Sequence, residues 1–96
     1  MKTLEEIKNI LAKHKAELKQ KYKVKKIGIF GSCLRKEKKV NDIDILVEFE
    51  EAIGFFQFMD LEEYLENLLP AKVDLVSKKA LKPHIGEHIL KETVYL

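Results

Sequence analysis

The alternation of apolar and polar positions divides this chain into a short series of elements. Leu4, Ile7, Ile10/Leu11, His14 and Leu18 recur at steps of three and four, while Lys, Glu and Asn fill the opposite face. That spacing predicts an amphipathic helix running to about Lys21, and Thr3-Leu4-Glu5-Glu6 reads as the capping box that opens it. Val24 to Phe30 is a strand by its β-branched, apolar end. Gly31-Ser32 turns the chain, a short helix follows through Cys33, Leu34 and Arg35, and Lys36 to Asn41 is a polar loop. Ile43 to Phe49 carries the clearest alternation: Ile43, Ile45, Val47 and Phe49 face one side, Asp42 and Asp44 the other. After a turn at Glu50 to Gly54, Phe55 to Leu69 predicts a second long helix with Phe58, Leu61, Leu65 and Leu68 as its buried stripe. Pro70 stops it. Lys72 to Ser77 is a third strand, Ala80 to Lys91 a last helix with Pro83 in its first turn, and Thr93 to Leu96 a short terminal strand.

The order α-β-(short α)-β-α-β-α predicts an α/β or α+β architecture: a small mixed β-sheet covered by helices. A chain of 96 residues, 46% hydrophobic and 35% charged, fits one globular domain over residues 1–96. No apolar run approaches the roughly 20 residues of a bilayer span, and the opening Met-Lys-Thr-Leu-Glu-Glu lacks the apolar core of a signal peptide. A single cysteine, Cys33, excludes an internal disulfide framework, and the expectation is a cytoplasmic protein without membrane association. The net charge of +2 hides an asymmetry: residues 1–39 hold thirteen Lys or Arg against four Glu, residues 40–96 five Lys against twelve acids. A uniformly basic nucleic-acid binder does not look like this, so no direct nucleic-acid binding is expected. The lysine-rich segment reads as a solvated face, or as a surface for an acidic partner.

The chemistry lies between the first two strands. Two carboxylates side by side on one strand face repel each other and gain nothing from the fold, whereas a divalent cation turns that repulsion into attraction. The Gly31-Ser32 turn beside them offers backbone N–H groups to an anion. Asp74, between apolar neighbours in the third strand, is costly there unless paired or bound to a cation. If the second and third strands are neighbours, Asp74 joins Asp42 and Asp44 on one face. Three carboxylates beside a phosphate-holding turn suit one or two Mg²⁺ ions, which prefer hard oxygen donors.

These residues resemble the polymerase β-type nucleotidyltransferase superfamily: Phe30 before Gly31-Ser32, then Arg35, Asp42-Ile43-Asp44 with Leu46-Val47 after it, and Asp74 on a later strand. Within it the match is to the minimal nucleotidyltransferases (MNT), over nearly the whole chain. Asn41 stands where a serine often precedes the first aspartate, and Lys36 where a glycine commonly follows the arginine. The resemblance implies the polymerase β-like nucleotidyltransferase fold, with Asp42, Asp44 and Asp74 as metal ligands for two Mg²⁺ ions. Asp74 would also help deprotonate the acceptor hydroxyl. Gly31, Ser32 and Arg35 would hold the phosphates of ATP, the AMP donor. It further implies an antitoxin that adenylylates a tyrosine of a HEPN-domain ribonuclease toxin, in a homo- or hetero-oligomer. The rival expectation, from the charge asymmetry and small size, is a non-catalytic binding module that neutralises its partner by contact.

Three other features carry less. His84-Ile85-Gly86-Glu87-His88 matches a zinc-protease pattern in form, but Gly86 weakens the helix it needs and eight residues remain to supply a third ligand. Cys33 reads as a small filler beside the turn. Phe55, Phe56 and Phe58 are expected mostly in the core, yet three cannot share one face, so one is free to cover a nucleotide or a partner.

Overall fold

The computed structural model describes residues 4–31, 42–80 and 83–96. Its elements are α1 (Leu4–Lys13), α2 (Lys15–Tyr22), β1 (Val24–Phe30), β2 (Asp42–Phe49), α3 (Phe55–Leu68), β3 (Lys72–Ser77), a 3₁₀ turn (Lys78–Ala80), α4 (Pro83–Glu92) and β4 (Val94–Tyr95). The four strands form one mixed sheet in the order β3-β2-β1-β4. β1 runs antiparallel to β2 and β4, and β2 runs parallel to β3. A parallel neighbour needs a crossover long enough to return the chain to the same end of the sheet, and α3 supplies it.

The strand boundaries follow the alternation. Ile43, Ile45 and Val47 of β2, Ile27 and Ile29 of β1, and Val73 and Leu75 of β3 point to one face. They meet Ile7 and Leu11 of α1, Leu18 and Tyr22 of α2, and Leu61, Leu65 and Leu69 in and after α3. Removing these side chains from water, at about 25 cal/mol per Å² of apolar surface, is the main favourable contribution to folding. The second face of the sheet holds Phe30 and Leu46, buried but outside that cluster, and Asp44 and Asp74.

Two boundaries differ from the sequence expectation by more than one residue. The first helix is two helices, broken at His14, whose Nδ1 donates to the Ile10 carbonyl at 2.9 Å. The ring takes an acceptor that a straight helix would give to the backbone N–H four residues on, and His14 N–H closes instead on the Leu11 carbonyl at 3.2 Å. The buried stripe at Ile7, Leu11, Leu18 and Tyr22 continues across the break, which is why the periodicity did not show it. The last helix begins at Pro83 rather than Ala80. Proline has no N–H to give, so the first helical position is where it fits. Thr3 of the capping box, Cys33, the short helix through Arg35 and the Lys36 to Asn41 loop lie outside the described residues.

The sheet's other edge depends on Gly28. β4 pairs Tyr95 with Gly28 and Val94 with Ile29. A methyl at Gly28 would stand 2.5 Å from Thr93 Cγ2 and 3.0 Å from the Val94 carbonyl oxygen. The absent side chain is what lets the end of the chain lie against β1. Leu96 N–H then donates to the Ile27 carbonyl at 3.0 Å, and Lys15 Nζ to the Leu96 carbonyl at 2.9 Å.

Tyr64 of α3 packs its ring against Tyr22, centroids 5.4 Å apart, and edge-on to His14 at 6.4 Å. Its hydroxyl is buried without a hydrogen-bond partner among the described residues. Burial, with Glu17 adding its negative charge from outside bonding geometry, pushes the phenol up to about 12. A raised phenol pKa favours the neutral form in the folded state. Its contribution to stability is therefore complete below about pH 10, where an unfolded tyrosine ionises, and is lost as pH rises toward 12. Tyr64→Phe should change stability at pH 7 by no more than about 1 kcal/mol, since it removes an unpaired buried hydroxyl. Denaturant titrations at pH 8 to 12 should show the wild type losing stability relative to Tyr64→Phe only above about pH 10.

Candidate active site

Asp44 and Asp74 come together through strand register. Asp44 pairs with Asp74 across the parallel β2/β3 ladder, and with Phe30 across the antiparallel β1/β2 ladder. Register partners project to the same face, so the two carboxylates stand on adjacent strands about 4.8 Å apart. Asp44 is half-buried in the middle of the sheet, and Asp74 is exposed on its edge. Like charges directly opposed across a ladder are unfavourable, so this pair opposes the fold rather than supporting it. Asp42 opens β2 and its backbone pairs with Lys72.

The turn after β1 is fitted to this pair. Gly31 has φ 78°, a left-handed conformation that costs a side-chain-bearing residue about 1–2 kcal/mol. A Cβ built there would fall on Asp44 Oδ2 and stand 3.0 Å from its Cγ. Gly31 therefore serves two ends at once: it reverses the chain, and it leaves the Asp44 carboxylate room to lie against the turn. Ser32 and Arg35, the other residues expected to hold phosphates, lie outside the described residues. So does the Asp42 side chain.

A contact that the sequence did not announce holds the third strand. Val73 N–H donates to Glu66 Oε2 at 3.0 Å. β3 is an outer strand, and α3 packs against it. Glu66 thus ties β3 to α3 at the residue before Asp74. No local pattern marks Glu66, because its partner is seven residues on and meets it only once α3 has docked.

Asp44 and Asp74 are hard oxygen donors on neighbouring positions, with a carboxylate-sized space preserved beside the turn. That donor set fits a divalent cation such as Mg²⁺. Among the described residues there is no group of three or more His, Cys, Asp or Glu placed to hold a metal.

The phenylalanines sit elsewhere. Phe58 packs against the core, but Phe55 and Phe56 are 70% and 82% exposed, so two of the three face outward. They begin α3, beyond the C-terminal end of β2, whereas the carboxylates stand near its start. The five residue steps from Asp44 to Phe49 span about 17 Å of strand, so both phenylalanines stand well away from the carboxylates. A cavity of about 550 Å³ lies at that far end, lined by Phe49, Ile53, Phe55 and Phe58 with Ser77 and Lys78.

A helix-covered mixed sheet with opposed carboxylates beside a glycine turn is an arrangement that suits nucleotidyl transfer. The nucleotidyltransferase domain family model matches residues 11–96, and the chain belongs to that family. It is 52% identical over 97 residues to the protein adenylyltransferase MntA of Thermococcus cleftensis, covering 100% of this chain and 98% of the relative. A solved structure proposed to be a minimal nucleotidyltransferase superposes with a TM-score of 0.75 at 32% identity, over 94% of this chain and 95% of that one. The fold also recurs in the complex of a tri-AMPylated Shewanella oneidensis HEPN toxin with an MNT antitoxin: TM-score 0.67, 21% identity, 93% of this chain and 70% of that one.

Two substitutions test the geometry. Gly31→Ala should reduce nucleotidyl transfer by roughly two orders of magnitude, because a misplacement of about 1 Å at the reacting groups costs that much. Its melting temperature should fall by roughly 4–16 °C, as expected for a strain of about 1–2 kcal/mol in a chain of this size. Glu66→Ala should leave the Val73 N–H open to water and lower transfer, with Glu66→Gln, which keeps an acceptor oxygen, closer to wild type. Steady-state transfer rates beside thermal melts measure both.

Proposed function

We propose that this chain, as one nucleotidyltransferase domain over residues 1–96, is a Mg²⁺-dependent adenylyltransferase. It moves AMP from ATP to a tyrosine hydroxyl of a partner HEPN-type ribonuclease toxin and acts in the cytoplasm as its antitoxin. The observation that carries the proposal is the register of Asp44 against Asp74 beside the Gly31 turn. The protein adenylyltransferase name of the full-length Thermococcus relative supports the donor chemistry. The AMPylated toxin in the Shewanella complex supports the partner.

In this reading each residue has a separate task. Gly31 and Ser32 hold the β- and γ-phosphates with backbone N–H groups, and Arg35 adds positive charge. Asp42, Asp44 and Asp74 would hold the magnesium, which when bound supplies the positive charge that offsets the triphosphate and favours attack at phosphorus. Asp74, the exposed member of the pair, takes the acceptor's proton. The tyrosine oxygen attacks the α-phosphorus in line, the bond from phosphorus to the bridging oxygen breaks, and pyrophosphate leaves with its electron pair.

A second reading, neutralisation by contact alone, is favoured by a separate observation. Phe55, Phe56 and Met59 are 70%, 82% and 47% exposed, an apolar patch suited to a protein surface.

Incubation with labelled ATP, Mg²⁺ and the partner should label the partner, and chelation should stop it. Asp44→Asn and Asp74→Asn should each lower the transfer rate at least a hundredfold, roughly the effect of losing one transition-state charge partner. In metal-free buffer Asp74→Asn should not be less stable through loss of the opposed pair, and a gain of up to about 1 kcal/mol is expected. Variants that neutralise the toxin without transferring AMP would favour the contact reading. Absence of any transfer by the wild type would end the enzymatic one.

A further inference from the structure

The order of the strands assigns sides to the reaction. The glycine turn that would hold the departing phosphates follows β1, the Asp44 carboxylate stands on β2, and Asp74 stands on β3. In-line displacement puts the entering and leaving oxygens on opposite sides of phosphorus. With the leaving group over β1 and the phosphorus over β2, the acceptor oxygen must arrive over β3. The side chains that β3 presents there are those sharing Asp74's face, and the residue two positions before it is Lys72. Lys72 pairs with Asp42 in the ladder, so it occupies the row where β2 and β3 begin.

Two further observations concern its state. Lys72 is exposed, and it makes no ion pair with any described residue. Among the described side chains its neighbours are acidic: Asp74 on its own strand, Asp44 on β2 and Glu66 on α3. An acceptor hydroxyl entering there gathers negative charge as its proton leaves, among carboxylates that disfavour that charge. A lysine at the outer edge is the cation within the same strand face that can meet it.

The geometry points to Lys72 as an acceptor-side residue of this centre, whose ammonium contacts the entering hydroxyl oxygen and stabilises the charge that develops on it. This rests on the adenylyl-transfer reading. The acceptor's proton passes to Asp74, the oxygen–phosphorus bond forms, pyrophosphate departs on the β1 side, and Lys72 keeps its own protons throughout. Lys72 is thereby distinct from the phosphate-holding residues: its removal affects the acceptor and leaves the donor alone.

The test compares wild type, Lys72→Met, Lys72→Arg and, as a far-end control, Lys79→Met, with the partner protein as acceptor. Lys72→Met should lower kcat/KM for the acceptor roughly tenfold to a hundredfold, the range for a charge-assisted contact. The KM for ATP, and the affinity for a non-hydrolysable ATP analogue measured by calorimetry, should stay within about twofold, and melting temperature should be unchanged. Lys72→Arg should recover most of the loss, and Lys79→Met should match wild type. An unchanged acceptor kcat/KM in Lys72→Met, with the wild type active, would overturn the inference and leave adenylyl transfer standing. A weakened analogue affinity would also overturn it, by moving Lys72 to the donor side. A wild type that transfers nothing overturns the underlying reading and this inference together.

Discussion

The parallel register between β2 and β3 is the constraint on which the rest of the molecule depends. It opposes Asp44 to Asp74, an arrangement that costs stability, and the sheet tolerates it because the reverse face of the same two strands is apolar where it meets the core, at Ile43, Ile45, Val73 and Leu75. Ile43, Ile45, Val73 and Leu75 are buried in the main core, and a slip of one residue in either strand would drive a carboxylate into it. The register that creates the repulsion is thus also the one the core enforces. A parallel pair has no tight turn to set it. Here α3 returns the chain, with Leu61 and Leu65 in the core and Glu66 fastened to the Val73 N–H.

Much of this was legible in the sequence, for a physical reason. A strand buried on one face must alternate, so β2 and β3 announced themselves, and β3 occupies the residues its pattern indicated. The glycine turn was legible as a turn, and Asp74 as an acid out of place among apolar neighbours. Local patterns could not show what depends on docking. The approach of Asp44 to Gly31 joins residues thirteen apart, and the bond from Val73 to Glu66 forms only after the crossover is complete. The break at His14 was hidden because the apolar stripe runs straight through it. Phe55 and Phe56 misled by composition: a phenylalanine reads as core, but both precede the part of α3 that touches the sheet.

The two ends of the sheet have different chemical characters. Near the start of β2 stand the carboxylates and the glycine turn. Beyond its end lie an apolar cavity and two outward phenylalanines. The separation of about 17 Å along the strand keeps apolar contacts from competing with the charged centre for the same space.

The position of β3 at the margin of the sheet has a consequence for what the enzyme can accept. Asp74 stands exposed on the outermost strand, with its charged partner one strand inward. On the adenylyl-transfer reading, the Asp74 side of the centre is a ledge at the sheet's margin rather than a pit. A residue held on the surface of a folded macromolecule can be brought to it broadside, without first being pulled loose and threaded into an enclosure. Enclosure selects substrates by size, and a ledge does not. Discrimination between acceptors would then fall to the wider surfaces that meet around it.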